Sequence, residues 1–595
     1  MSAHAAATEA ASVANAAAGG QRAGIVEMRI TLRMAAGVAA SVLACATAHA
    51  GEHLFDSGFD HRNEGPYSDA DAARFLTQAT FGPTLAEIAR LRAIGYNTWL
   101  AEQAAATPSR HRPYLEAQAA AGLDVYQNSR QEAWWLHAVR GQDQLRQRVA
   151  FALSELLVVS DQSGAIEGNP IAMANYYDLL VEGAFGNYRS LLEQVTLSPV
   201  MGHYLSMFKN RKPDTALGIR PDENYAREIM QLFSVGLVQL NMDGTVISSG
   251  GQPVPTYNQE TIRGFAHVFT GWNWANCPTN NWEWCPSGPV DWPEPGWDAY
   301  WLQPMAPMAA YHASAGTKQL LVYPGVALPN GVLPAGGSAQ SNLQAALDNV
   351  FNHPNVAPFI ARHLIKRLVS SNPSPAYVGR VAAVFANNGL GARGDLGATV
   401  RAVLMDSEAR ILPTLASNRG KLREPLLRLT QLWRALDGRA DDGRYREWNP
   451  EYSFGQAALR SPSVFNFFLP DYRPPGELSN LGLDAPEFQI TTDTTIASVA
   501  SALGAKVYWS WRGQGGQSPE DIVVDLGPEV ALAHNPARLV DRYDLLFMGR
   551  TMSPFMFDTI TGYISTMPNT NSGRRERVQN AIWLIQSSPE YAIER

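Results

Sequence analysis

Glu223, Arg227 and Glu228 fall within the stretch "RPDENYAREIMQLFSVG", residues 220–236. At about 100° per residue, Glu223, Asn224, Arg227, Glu228 and Gln231 share one side of a helix. Tyr225, Ile229, Leu232 and Phe233 take the other side. A second stretch, "TYNQETIRGFAHVFTGW" (256–272), adds Arg263 and His267. Together these five residues could run hydrolase-like chemistry. Glu228 or Glu223 would be the general acid/base, His267 its partner, and Arg227 or Arg263 the stabiliser of a developing anion. A plain surface helix also explains the first stretch. Pro221 suits the first helical position, Asp222 and Glu223 suit the first turn, and Gly236 suits the stop.

The second stretch tilts the balance. Thr256 and Gln259 have capping-box spacing, and Ile262, Phe265, Ala266 and Phe269 make an apolar face. The other face holds Glu260, Arg263, Gly264, His267 and Gly271. A glycine inside a helix costs about 1 kcal/mol relative to alanine, so two on one stripe imply that something approaches closely. The polar face of a 221–235 helix is the most economical cover. Either a structural polar network or a catalytic site would result, and both readings stay open.

Seven of the chain's 15 tryptophans lie between residues 272 and 301. Trp272, Trp274, Trp282, Trp284, Trp292 and Trp297 are candidate stacking platforms for a sugar ring, a polymer or a protein partner. A miniature core that stiffens a long loop is the alternative. Cys277 and Cys285 flank Trp282 and Trp284, and in an oxidising compartment they are expected to form a disulfide.

No GxSxG, HExxH, Walker A or dinucleotide-type glycine motif occurs, and the 12 histidines show no metal-ligand spacing. No metal and no cofactor is expected. His353 and His363 read as capping or satisfied histidines. Asp243-Gly244 marks a turn and lacks the remaining ligands of a calcium loop. The chain has 595 residues, 46% hydrophobic and 17% charged, with a net charge of −8. Its short basic clusters, Lys209–Lys212, Lys366–Arg367 and Arg574–Arg575, read as solvated faces rather than a nucleic-acid track.

The elements that must position these groups are mostly helices, with apolar residues at period 3.6. Ser-Pro pairs at 198, 374, 461 and 588 are set to cap and open helices. Only 318–323 and 521–526 look like strands. The expected fold is mainly α, a large multi-helix body with a long Gly/Pro/Trp-rich loop region and little β structure. Residues 1–50 read as an N-terminal extension plus signal peptide, and 66–242 as an N-terminal helical block. Residues 243–340 form the loop region with one helix at 256–271, and 341–595 a C-terminal helical block. Within the first part, Arg29 and Arg33 precede an apolar run that ends at Ala48-His49-Ala50. That is the form of a secretory signal, with Met28 as the expected start. The protein is expected to be exported, periplasmic or extracellular, with a lipid anchor at Cys45 as the alternative. No later stretch has the length of a membrane span.

Several segments resemble a bacterial family catalogued as domain of unknown function 1800. Among them are "ARFLTQATFGPTLAEIARLRAIGYNTWLAEQ", "RQRVAFALSELLVVS", "RPDENYAREIMQLFSVGLVQLNMDGT" and "TIRGFAHVFTGWNW". "NHPNVAPFIARHLIKRLVSSNPSPAYVGRVAAVF" and "SPSVFNFFLPDYRPPG" match in the same order. The resemblance implies an exported, mostly helical bacterial protein. It also implies a partner from a second exported family, domain of unknown function 1501. It brings no reaction. The family usually reads "HDTG.K" where this chain has His312 to Lys318, with Ala313 in place of the aspartate. The expected role is binding or assembly on a glycan, polymer or protein partner through the Trp-rich loop. The alternative is the hydrolase-like enzyme.

Overall fold

Serine–proline pairs start helices in this chain. Ser374 accepts a hydrogen bond from the Tyr377 amide and opens Pro375–Ala386, and Ser588 does the same for Tyr591 ahead of Pro589–Ala592. Ser198 opens Pro199–Tyr204 without a side-chain cap. The fourth pair, Ser461-Pro462, starts no helix. Its serine hydroxyl bonds Ser463 O, its carbonyl takes the Ser160 hydroxyl, and Leu459 and Asn466 on either side hold positive φ. The computed structural model describes residues 65–164, 166–275, 282, 297–413 and 419–594. Among them the chain is mainly α, with 25 helices and four short antiparallel strand pairs. The 318–323 run contributes one strand, Lys318–Gln319, paired with Val332–Leu333. The 521–526 run supplies only isolated bridges.

One core joins elements far apart in sequence. Trp135, on Gln127–Arg140, stacks edge-on against Trp433 of Pro425–Ala435, centroids 5.2 Å apart. Residues Phe59–Arg595 form one compact unit.

Inside this core lies a buried knot of charge. Arg148, Glu155, Arg367, Lys421, Glu424 and Glu487 are all buried. Arg367 Nε stands 3.5 Å from Glu155 Oε2, and Lys421 Nζ stands 3.6 Å from Glu424 and 3.4 Å from Glu487. Both Arg148 and Lys421 donate to the carbonyl of Arg367, at 2.8 and 2.9 Å. Burial raises the Glu155 carboxyl, and Arg367 pulls it back. Burial also acts on Glu424, but Lys421, Arg148 and Arg367 outweigh it and hold that carboxyl low. This corrects the reading of Lys366–Arg367 as a solvated face. Both are buried, and Lys366 bonds Asp484 at 2.6 Å. His353 and His363 are satisfied, by the Asn355 amide at 3.1 Å and by Ala152 O at 3.0 Å.

Glycine permits one close crossing that matters for the site. A Cβ on Gly264 would stand 1.8 Å from Gln319 O. Gly264→Ala should therefore force the Lys318–Gln319 strand off its helix and cost on the order of 3 kcal/mol. The exposed helical Gly562 has nothing within 4 Å of its added Cβ, so Gly562→Ala should be neutral or up to about 1 kcal/mol stabilising. Denaturant midpoints of the two variants check this, and equal midpoints would mean the crossing is loose.

Candidate functional site

The helix that carries the first candidate residues is shorter than its sequence suggests. It spans Asn224–Gln231. Asp222 is held in a loop because the Asn210 side chain bonds both its amide (2.8 Å) and its carbonyl (3.1 Å). Its carboxylate then accepts from the Asn224 amide at 2.7 Å. At the other end the chain turns through Leu232–Val235 to Gly236 at φ 72°. The inward face packs as expected. Tyr225 shares a hydrogen bond with Thr196 at 2.6 Å, and its ring meets Phe269 edge-on at 5.0 Å.

The second helix spans Gln259–Val268 and is capped by Asn258, which accepts from the Thr261 amide at 3.0 Å. Thr256 is drawn away to Gly236 O, so the expected capping box does not form. The glycine stripe is covered, as its composition requires, by backbone from a different segment. Gln319 O lies over Gly264, and a Cβ on Gly271 would meet the backbone of His312 at 2.8 Å. The cover is residues 312–319 and not the polar face of the first helix.

The five candidate residues accordingly do not form one cluster. Glu223 accepts from Gln259 Nε2 at 2.8 and 2.9 Å and from Arg227 at 3.4 Å, near the surface. Glu228 is buried, and its Oε2 has no partner. Burial raises its carboxyl, with Arg227 pulling the other way. Arg263 is exposed and makes no hydrogen bond or ion pair among the described residues. His267 is half-buried, its imidazole lowered by burial and then by Lys318. No bond links Glu223, Arg227 or Glu228 to Arg263 or His267. No carboxylate–histidine pair results, which a shared proton relay would need.

What His267 does have nearby is Lys318, a residue that sequence reasoning left without a role. Lys318 is 1% exposed and its Nζ has no partner. Burial lowers its ammonium. The same corner holds His312, whose Nδ1 bonds Thr270 O at 3.0 Å while Asn342 Nδ2 lies 2.8 Å from Nε2. That network makes Nδ1 the donor and Nε2 the acceptor, so the ring is neutral, in line with its lowered pKa. Ala313, in place of an aspartate, brings no carboxylate to the corner. The available signal was the spacing from His312 to Lys318.

The tryptophans divide. Trp272, Trp274 and Trp282 are at most 2% exposed. Trp272 pairs with Pro307 in a two-stranded ribbon. Trp274 packs at 4.5 Å from Phe208 and 5.0 Å from Trp301, and Trp282 stacks on Tyr311 at 4.3 Å. These three make the miniature core and turn no ring face to solvent, which corrects their reading as surface platforms. Trp297 opens the helix Trp297–Leu302. Trp284, Trp292, Cys277, Cys285, the signal segment and Cys45 lie outside the described residues. Among the described residues no group of three or more His, Cys, Asp and Glu is placed for a metal ion. No described helix is long and apolar enough to cross a membrane.

Lys318 gives a pH test. Its folded pKa lies below the unfolded value, so the unfolded chain holds the proton more tightly. Stability then rises with pH between the two values, and the cost of the buried charge is fully present below the folded one. Lys318→Met should raise the melting temperature at pH 7, and the gain should vanish as pH approaches about 10.4, the ordinary lysine value. A lower melting temperature at pH 7 would show that the ammonium has a stabilising partner.

No curated protein and no solved structure matches the chain. One family model does, that of a protein of unknown function (DUF1800), over residues 74–593, nearly the whole chain, and the protein belongs to that family.

Proposed function

We propose that the protein is an exported binding or assembly protein, a helical scaffold that holds residues 237–256 in a fixed shape for a partner. The carrying observation is a set of exposed aliphatic side chains on ordered backbone. Leu237, Met242 and Val246 are 57%, 46% and 44% exposed. The backbone beneath them is tied down. Leu240 N bonds Asn355 Oδ1 at 2.9 Å, and Asn355 Nδ2 is 2.8 Å from Val235 O and from Val238 O. Gln239 N bonds Val254 O at 2.8 Å. Rigid apolar groups at a surface favour a protein partner, because ordering cost is already met and contact releases water. Aliphatic side chains offer no stacking face, so a protein fits this surface better than a glycan. An exported member of the family domain of unknown function 1501 is the partner this reading names, and the Met28–Ala50 signal supports export.

A second reading keeps one observation in its favour. Glu228 is a buried carboxyl with a raised pKa and an unpartnered oxygen, which is how a general acid is poised. A hydrolase-like enzyme built on it would lose turnover in Glu228→Gln with little change in melting temperature.

Titration of the purified protein with a purified exported protein of the partner family, followed by calorimetry, tests the first reading. A saturable complex is expected, weakened at least about tenfold by Leu237→Asp with Val246→Asp and unchanged by Arg263→Ala. No complex, or one indifferent to the aspartates, overturns it.

A further inference from the structure

A cavity of about 230 Å³ opens between the helices Asp493–Tyr508 and Asn571–Gln586 and the start of Pro425–Ala435. Its wall is mostly aliphatic and aromatic: Leu422, Phe488, Ile490, Val499 and Ile593 among others. Ile496, 58% exposed, sits on it too. At about 30 Å³ per water-sized group, it holds about eight such groups.

Arg428 is the one charged residue in the wall. It donates from Nε to Arg423 O at 3.2 Å, and no carboxylate pairs with it among the described residues. Arg428 is partly buried, and burial pulls its guanidinium down to about 10. No aspartate or glutamate lines the cavity.

We infer that this cavity binds a small amphipathic carboxylate, a free fatty acid of medium chain length. The tail lies along the apolar wall, and the guanidinium takes the two carboxylate oxygens as its fork geometry allows. One cation and no acid match one negative charge. Room for about eight groups matches octanoate, seven apolar carbons and a carboxylate. The cavity lies far in sequence from residues 237–256, so this inference does not rest on the partner reading.

Calorimetry of the full mature chain with octanoate and with octanol separates the terms. Octanoate should bind saturably at one site and at least about tenfold more tightly than octanol. Arg428→Gln should bring octanoate down to the octanol level and leave octanol unchanged. Ala500→Phe, which fills the wall from an incompletely buried position, should abolish both. Equal binding of acid and alcohol in the unaltered protein overturns the inference without recourse to any variant. So does unaltered binding in Ala500→Phe, or no saturable binding up to millimolar octanoate.

Discussion

Charge that has left water must find its partner inside the fold. Arg148, Glu155, Arg367, Lys421, Glu424 and Glu487 come from four separate segments and are all buried. An isolated ion in such a place is prohibitively expensive. Removing one member of a buried set typically costs about 3–5 kcal/mol, because the remainder is left uncompensated. The tryptophan contact between the Gln127–Arg140 and Pro425–Ala435 helices can tolerate small shifts, since apolar packing is non-directional. The ionic knot cannot. It fixes how the early helices sit against the late ones, and the surface ribbons are placed by what those helices hold.

The candidate site hangs from that frame through backbone and not through side-chain chemistry. Residues 312–319 cross the Gln259–Val268 helix at Gly264 and Gly271, where only hydrogen fits. This crossing buries Lys318 beside His267 and seals His312 into hydrogen bonds. The carboxylates of the neighbouring helix stay on another face. Proximity in sequence put Glu228 and His267 on adjacent helices, yet the intervening strand decides which groups share space.

Much of the architecture was legible. Period-3.6 apolar spacing, serine caps and the scarcity of alternating runs pointed to a mainly α chain. Glycine on a polar stripe correctly signalled a close approach by backbone. It carried no information on which segment approaches, because a missing Cβ fits any neighbour equally. The helix at 221–235 proved shorter since Asn210 captures Asp222, a contact across 12 positions that no local pattern reveals. Lys366 and Arg367 looked like a solvated pair because a charged residue reads the same in sequence whether water or a carboxylate neutralises it. Trp272, Trp274 and Trp282 left two readings open for a similar reason. A ring large enough to stack on a ligand is also large enough to fill a small core.

The ionic knot also sets a schedule. Glu155 and Glu487 are 332 residues apart in the chain, and synthesis delivers them in that order. Until the later segment exists, Arg148, Glu155 and Arg367 have no complete set of counter-charges and are more stable in water than in a collapsed interior. The set of counter-charges is complete only once residues 421–487 have been made, well after Glu155 and Arg367.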